Sequence, residues 1–317
     1  MSGRRTSVTV AIVCALVCEA SMLGYVAAIG ASERRGAEYF PNVPLTTQDG
    51  AIVRFYDDLV KGKAVAINLI YTTCKDECPL ETARLVQVQR LLGARVGTDL
   101  FFYSITIDPE RDTPEVLKDY ARKFGVGPGW LFLTGKREDI KLVAKKLGLS
   151  SVTDTTSRDG HRSILMVGDE PSGQWMRNSA VDNPRFLAAT ISTFLGWRDE
   201  KPATSYAEAR PLAPDNGGYI FRTRCVGCHT IGKGDAVGPD LAGVTRRRDR
   251  AWLARYLAEP DRMLAAGDPI AAALFSKYNQ VPMPNLRLGS EDVRALIAFL
   301  EAADARARRP AEAATTR

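Results

Sequence analysis

Five residues, Cys225-Val226-Gly227-Cys228-His229, have types and spacing that suit one well-defined chemistry. Two thiols three positions apart near the start of a helix can each form a thioether with a haem vinyl group. The histidine directly after them is then carried under the iron as an axial ligand. A zinc site would need two more ligands, and no Cys or His follows His229. A thioredoxin-type dithiol does not need the histidine. The run therefore predicts one covalent c-type haem on Cys225 and Cys228, with His229 on the iron. Covalent attachment implies export, most simply to a bacterial periplasm, so the other cysteines are read against an oxidising compartment.

A second pair lies in Tyr71-Thr72-Thr73-Cys74-Lys75-Asp76-Glu77-Cys78-Pro79. Residues 63–71 (KAVAINLIY) read as a strand buried on both faces. Residues 79–92, with Leu85, Val88, Leu91 and Leu92 at helical spacing, read as a helix. Redox and ligand sites of open α/β sheets sit at such strand ends. Two thiols four apart at that turn can close a disulfide, or both can bind one soft metal as thiolates. The nearby helix N-terminus is expected to depress their pKa values. A purely structural disulfide is the plain alternative. The chain has six cysteines and two histidines, so His161 is the one histidine left to weigh as a further ligand.

These residues must be positioned by surrounding elements. The chain has 317 residues, 45% hydrophobic and 25% charged, with a net charge of +6. That is ordinary globular composition and allows about two domains. The basic excess lies mostly in the last third. Arg246-Arg247-Arg248-Asp249-Arg250 reads as a loop or helix entry, so nucleic-acid binding is not expected. Arg4 and Arg5 precede an apolar run over residues 8–29, about long enough to span a bilayer, with Cys14 and Cys18 as small apolar members. Glu19 within it would cost about 3 kcal/mol at the bilayer centre, which the many aliphatic residues can offset. Residues 1–31 are expected to be an uncleaved membrane anchor, N-terminus inside, or a signal segment cleaved near Ala28-Ile29-Gly30.

Residues 40–197 alternate strand and helix patterns. Gln48-Asp49-Gly50 signals a hairpin, Thr113-Pro114-Glu115 opens a helix that Gly125 ends, and strands over 163–167 and 174–176 bracket a turn. The pattern argues an α/β sandwich with a mainly parallel central sheet. Residues 198–216, with Pro202, Pro211 and Pro214, read as a semi-stiff linker. Helices resume at Gly217 and run to about residue 303, closing with a helix over 290–301. The charged, Ala-rich residues 304–317 read as a disordered tail.

The stretch 63–197 resembles the Sco/SenC family, whose motif is T-x-C-P-D-[IV]-C-P. Thr72, Cys74, Asp76, Cys78 and Pro79 match; Lys75 replaces the first proline and Glu77 the apolar residue. Residues 104–118 (SITIDPERDTPEVLK) match the family's S-x-D-P-x-x-D-T-P segment, and residues 130–135 (WLFLTG) its W-x-x-L-T-G. The resemblance implies a thioredoxin-like fold associated with copper delivery to the binuclear copper centre of cytochrome c oxidase. It also implies one copper ion held by Cys74, Cys78 and His161. Residues 217–303 resemble class I cytochrome c domains: a helix into C-x-x-C-H, a Gly238-Pro239-Asp240-Leu241 loop and a small all-α fold. There the loop proline packs by the axial histidine, a role that falls to Pro239. The second axial ligand of that family is a methionine, and Met283 in Val281-Pro282-Met283-Pro284 matches its M-P motif, with Met263 as the rival.

Together these readings imply a protein of the bacterial inner membrane with its domains in the periplasm, or a soluble periplasmic protein after cleavage. Three function classes remain open. The first is a copper chaperone serving the oxidase copper subunit. The second is a thiol–disulfide oxidoreductase working through Cys74 and Cys78. The third is an electron carrier for another respiratory redox protein. A peroxidase is disfavoured, because no proline-threonine-cysteine motif precedes Cys74.

Overall fold

The computed structural model describes residues 36–74, 77–149, 163–197 and 215–315. The N-terminal apolar segment, most of the linker and His161 lie outside the described residues. Among the described residues, no helix is long and apolar enough to cross a membrane.

A seven-stranded sheet with the order β2-β1-β5-β4-β3-β6-β7 forms the centre of the first domain. Its strands are β1 (Pro44–Thr47), β2 (Ile52–Arg54), β3 (Ala64–Ile70), β4 (Leu100–Thr106), β5 (Trp130–Thr134), β6 (Ile164–Asp169) and β7 (Gln174–Ser179). Only β3, β4 and β5 run parallel; β1 pairs antiparallel with β2 and β5, and β6 with β3 and β7. The sheet is thus mixed, not mainly parallel. The turns of β1–β2 and β6–β7 impose the antiparallel pairing within each hairpin, because a short turn can only reverse the chain, and each hairpin also docks antiparallel on the parallel centre.

Both faces are covered. Val65, Ile67 and Leu69 of β3 face one buried cluster, under a wide helical turn (Phe55–Val60) and α3 (Arg137–Lys146). Ala66 and Ile70 face the other, under α1 (Glu77–Leu92), α2 (Pro114–Phe124) and α4 (Pro184–Phe194). This two-sided burial is what the unbroken apolar run of β3 encodes. The ends of α2 follow local chemistry: the Thr113 hydroxyl accepts from the Val116 N–H at 3.4 Å, Pro114 occupies the first turn, and Gly125 turns off at φ 65°.

The second domain is helical. It comprises α5 (Asn216–Ile220), continued as a wider turn through Phe221–Cys225, then α6 (Val244–Arg247), α7 (Arg250–Ala258), α8 (Pro260–Ala265), α9 (Pro269–Lys277) and α10 (Ser290–Thr315). Ile220, Phe221, Leu253, Leu257, Leu296, Ile297 and Leu300 form its core. Helices α5 and α10 cross so closely that a Cβ at Gly217 would meet the Ala295 carbonyl oxygen at 2.0 Å. The expected disordered tail is instead the continuation of α10, which runs to Thr315. Asp304, within that tail, is 4% exposed and accepts from the Gly243 N–H at 2.5 Å and the Thr245 hydroxyl at 2.7 Å. An Ala- and Arg-rich sequence is charged enough to suggest disorder, but it also has high helix propensity and extends a helix already anchored.

Candidate functional site

The first thiol pair sits where β3 hands over to α1. Tyr71 to Cys74 form a turn in which the Cys74 N–H donates to the Tyr71 carbonyl at 3.2 Å. Cys78 lies in the first turn of α1. Neither is in a disulfide; Cys74 is 5% exposed and Cys78 fully buried. Asp112, from the loop before α2, grips this turn from the side. Its carboxylate accepts from the Thr72 N–H at 3.1 Å, the Thr72 hydroxyl at 2.5 Å and the Thr106 hydroxyl at 2.5 Å. The end of β4 is tied in as well, by the Ile107 N–H to the Ile70 carbonyl at 2.8 Å.

A hydrogen bond with Cys74, followed by burial and the nearby Glu81 charge, holds the Cys78 thiol well above the usual thiol range. The helix N-terminus was expected to depress it, and here that effect is outweighed. Cys78 is thereby favoured as a neutral thiol hydrogen-bonded with Cys74, and a soft cation would have to displace its proton. Behind the pair runs a buried polar chain. Asn68 donates to Glu81 at 2.7 Å, Ser104 donates to Asn68 at 2.7 Å, and the Trp130 indole donates to Ser104 at 2.9 Å. Among the described residues no third metal-binding side chain joins the two thiols. His161, the expected third ligand, lies outside them, as does Lys75.

The second site is built from the C-x-x-C-H turn and the loop after it. The Cys228 and His229 N–H groups both donate to the Cys225 carbonyl, at 3.1 and 3.0 Å, which curls the motif back on itself. His229 Nδ1 donates to the Pro239 carbonyl at 2.9 Å, because a carbonyl only accepts; Nε2 is left with its lone pair for a metal. Burial lowers the His229 pKa against the opposing pull of that bond, so the ring is neutral, the ligating form. Gly238 has no room for a side chain: a Cβ would lie 2.6 Å from His229 Cε1. Asp240 ties the loop by accepting from the N–H groups of Gly232 (2.9 Å), Gly234 (2.6 Å) and Ala242 (2.8 Å) and from the Thr230 hydroxyl (2.9 Å). Partial burial would raise its carboxyl, but these donors more than offset that and hold it well below the usual carboxylate range.

Two adjoining cavities share His229, Pro239, Tyr256, Leu274 and Met283. Cys228, Val237 and Val281 line one, and Cys225, Leu241, Val244 and Leu296 the other. This is an apolar slot with an imidazole and a thioether sulfur on its walls and one cysteine in each half. That donor set and lining fit a haem attached through two thioethers. Met263 is 2% exposed and lines neither cavity. Burial pushes the Cys225 and Cys228 thiols up to about 12, so neither is poised as a reactive thiolate.

The SCO1/SenC family pattern matches residues 32–194, and the cytochrome c pattern matches residues 214–304. The chain belongs to the SCO1/SenC family and carries a cytochrome c domain fused behind it. It is similar to an SCO2-like protein of Rickettsia prowazekii, 31% identical over 144 residues, which are 44% of this chain and 67% of the relative. The human mitochondrial SCO1 homologue is 36% identical over 157 residues, 48% of this chain and 51% of the relative. A solved structure of Bradyrhizobium japonicum ScoI with copper bound shares 27% identity, covers 49% of this chain and 99% of that one, and has a TM-score of 0.40. The chain spans roughly half to two thirds of the length of the first curated relatives it matches.

Four residues of this SCO1/SenC protein that frame the sites were not singled out from sequence. Asp112 sits inside a recognised segment, D-T-P, whose acidic residue carried no assigned role. Gly238 and Asp240 flank Pro239 in the loop already noted; a Gly-Pro-Asp run with a histidine nearby is the signal that could have found them. Glu81 is fully buried although its charge reads as surface.

Proposed function

We propose that the thioredoxin-like domain binds one copper ion as cargo through Cys74, Cys78 and His161, and that the cytochrome c domain carries one covalent haem c for electron transfer. Cys225 and Cys228 would hold the haem, His229 and Met283 would ligate its iron, and Pro239 would orient the His229 ring. When bound, the haem supplies a one-electron redox centre. The chain's own residues do the remaining work: the Pro239 carbonyl keeps the Nδ1 proton in place, and the apolar slot excludes water. We assign the protein to the assembly of the copper centre of cytochrome c oxidase, exposed to the periplasm and held to the inner membrane by residues 1–31. The observation that carries the copper reading is the pair of buried thiols within hydrogen-bond reach of each other at a strand-to-helix turn. Thiolates favour Cu(I), and an imidazole makes Cu(II) tolerable.

The experiment is copper stoichiometry on the purified, reduced exported region. One copper per chain is expected. His161→Ala should weaken Cu(II) binding more than Cu(I), because the softer ion depends mainly on sulfur. Absence of copper from the reduced protein would shift the reading to thiol–disulfide exchange at the same pair. Equal retention of Cu(II) in His161→Ala would remove His161 from the site.

A further inference from the structure

Leu80, Ala83, Arg84 and Gln87 recur at three- and four-residue steps along α1 and so share one helix face. That face is covered by the haem-attachment turn. A Cβ placed at Gly227 would lie 3.5 Å from Arg84 Cγ, 3.7 Å from Leu80 Cδ1 and 3.8 Å from Ala83 Cβ. The Gln87 side-chain amide donates to the Val226 carbonyl at 2.6 Å. Cys228, Val237 and Val281 pack against the buried cluster to which α1 belongs, and the same three residues line the haem slot. The wall formed by Cys228, Val237 and Val281 is therefore backed by the cluster of the helix that begins at the Cys74–Cys78 turn, with Cys78 two residues before Leu80.

Arg84 is the odd group in this contact. It is 4% exposed, its Nε has no hydrogen-bond partner among the described residues, and no carboxylate there lies within ion-pair distance of it. The charged and thiol groups that face it are Asp182 before α4, Arg224, Cys225 and Cys228. Burying a guanidinium so incompletely matched is costly, and a neighbour that gains from a positive charge offsets the cost.

We infer that this face of α1 is a built-in dock for the haem edge at Cys228, and that Arg84 sets the haem's reduction potential by favouring the ferrous state. The inference rests on the haem reading of C-x-x-C-H. A fixed positive charge in a poorly screened contact stabilises the state of the iron that carries one positive charge fewer. It also explains why the two domains share a chain. The Cys74–Cys78 turn that would hold copper and the C-x-x-C-H turn that would hold the haem are joined by this helix contact, and each group would be a one-electron centre.

The test is a redox titration of the haem in the full, copper-free chain. In Arg84→Leu the ferrous-to-ferric ratio at a fixed applied potential should fall at least tenfold, a downward shift of about 59 mV for a one-electron couple. Arg84→Lys, which keeps the charge, should recover most of the shift. Gln87→Ala, which loosens the contact without touching the charge, should give a smaller shift in the same direction. The far-red band of iron–methionine ligation serves as the folding control, and Arg84→Lys carries the test should Arg84→Leu lose it. An unmoved potential in Arg84→Leu with that band intact, or a Lys variant that shifts as far as the Leu variant, would overturn the inference. Because copper is left out, this outcome is independent of copper stoichiometry. A chain without acid-stable haem would sink the haem reading and this inference together, whereas covalent haem with an unmoved potential sinks the inference alone.

Discussion

The cysteine pairs Cys74–Cys78 and Cys225–Cys228 both lie at a helix end and are largely withdrawn from water, yet they are built differently. Around Cys225 and Cys228 the groups that hold the imidazole come from adjacent sequence: His229 follows directly, and Gly238 and Pro239 lie in the next loop, while Met283 reaches the slot from a distant one. The frame around Cys74 and Cys78 is assembled from afar: Asp112 reaches the turn from the loop after β4, and the buried chain behind it crosses three strands to Trp130. At the second site the imidazole is held by the loop that follows it in sequence. At the first site the thiol turn is held through a side chain from another loop, Asp112.

The sharpest way to break this comparison is to exchange the losses. Cys74→Ser with Cys78→Ser should abolish copper binding and leave the covalent haem and its spectrum unchanged. Cys225→Ala with Cys228→Ala should abolish covalent haem, read as haem lost to acid-acetone, and leave one copper per chain. If either double variant empties both sites, the pairs are not independent and the two-site reading fails.

The next largest effect tests the local frame. Met283→Ala should remove the far-red iron–methionine band, and Met263→Ala should keep it; the reverse would overturn the ligand assignment. Gly238→Ala places a Cβ against the His229 ring, so the ring or the loop must shift. Overpacking of this kind costs about 1–3 kcal/mol, which thermal unfolding of the holoprotein would show, with a weakened band.

How much of this was legible from sequence follows the same division. C-x-x-C-H reads directly, because both thioether positions and the ligand fall within five residues. The apolar run of β3, the Thr113 cap and the Gly125 stop read well, because each is a local preference with a local cause. The parallel count did not, since the hairpins β1–β2 and β6–β7 add antiparallel edges that alternation alone does not assign. Asp112 is invisible because its partner Thr72 lies 40 residues away in sequence, and Arg84 because the turn at Gly227 that packs on it belongs to the other domain. The depressed thiol pKa expected at a helix N-terminus fails for Cys78, because the hydrogen bond with Cys74 and then burial outweigh the dipole.

The distant frame is sharpened by Asp112→Asn. The amide keeps the shape but loses an acceptor among three donors, so the Cys74 turn loosens while the sheet stays folded. Outer-shell changes of this kind typically cost 10–100-fold in metal affinity, and the lower end, about tenfold, is expected here because Asp112 acts through Thr72. Competition against a Cu(I) chelator would measure it. Unchanged affinity would mean that the turn is held by its backbone bonds alone.

The smallest effect separates fold from site in the last domain. Asp304 lies in the segment that reads as a loose tail, yet it satisfies the N–H of Gly243 and the hydroxyl of Thr245, at the start of α6. The hydroxyl can turn to water, but the N–H is buried with it, so removing the carboxylate strands a backbone donor. Asp304→Ala should therefore destabilise the cytochrome domain by about 1–3 kcal/mol, whereas Asp304→Asn, which keeps one acceptor oxygen, should cost about 1 kcal/mol or less. Neither should move the iron–methionine band or the copper stoichiometry, since α6 borders the slot through Val244 without supplying a ligand. Thermal unfolding of the two variants with the haem spectrum as readout makes the distinction. Equal stability of Asp304→Ala and the parent would mean that α10 beyond Glu301 contributes nothing to the domain. A loss of the band at unchanged stability would instead place Asp304 in the haem frame.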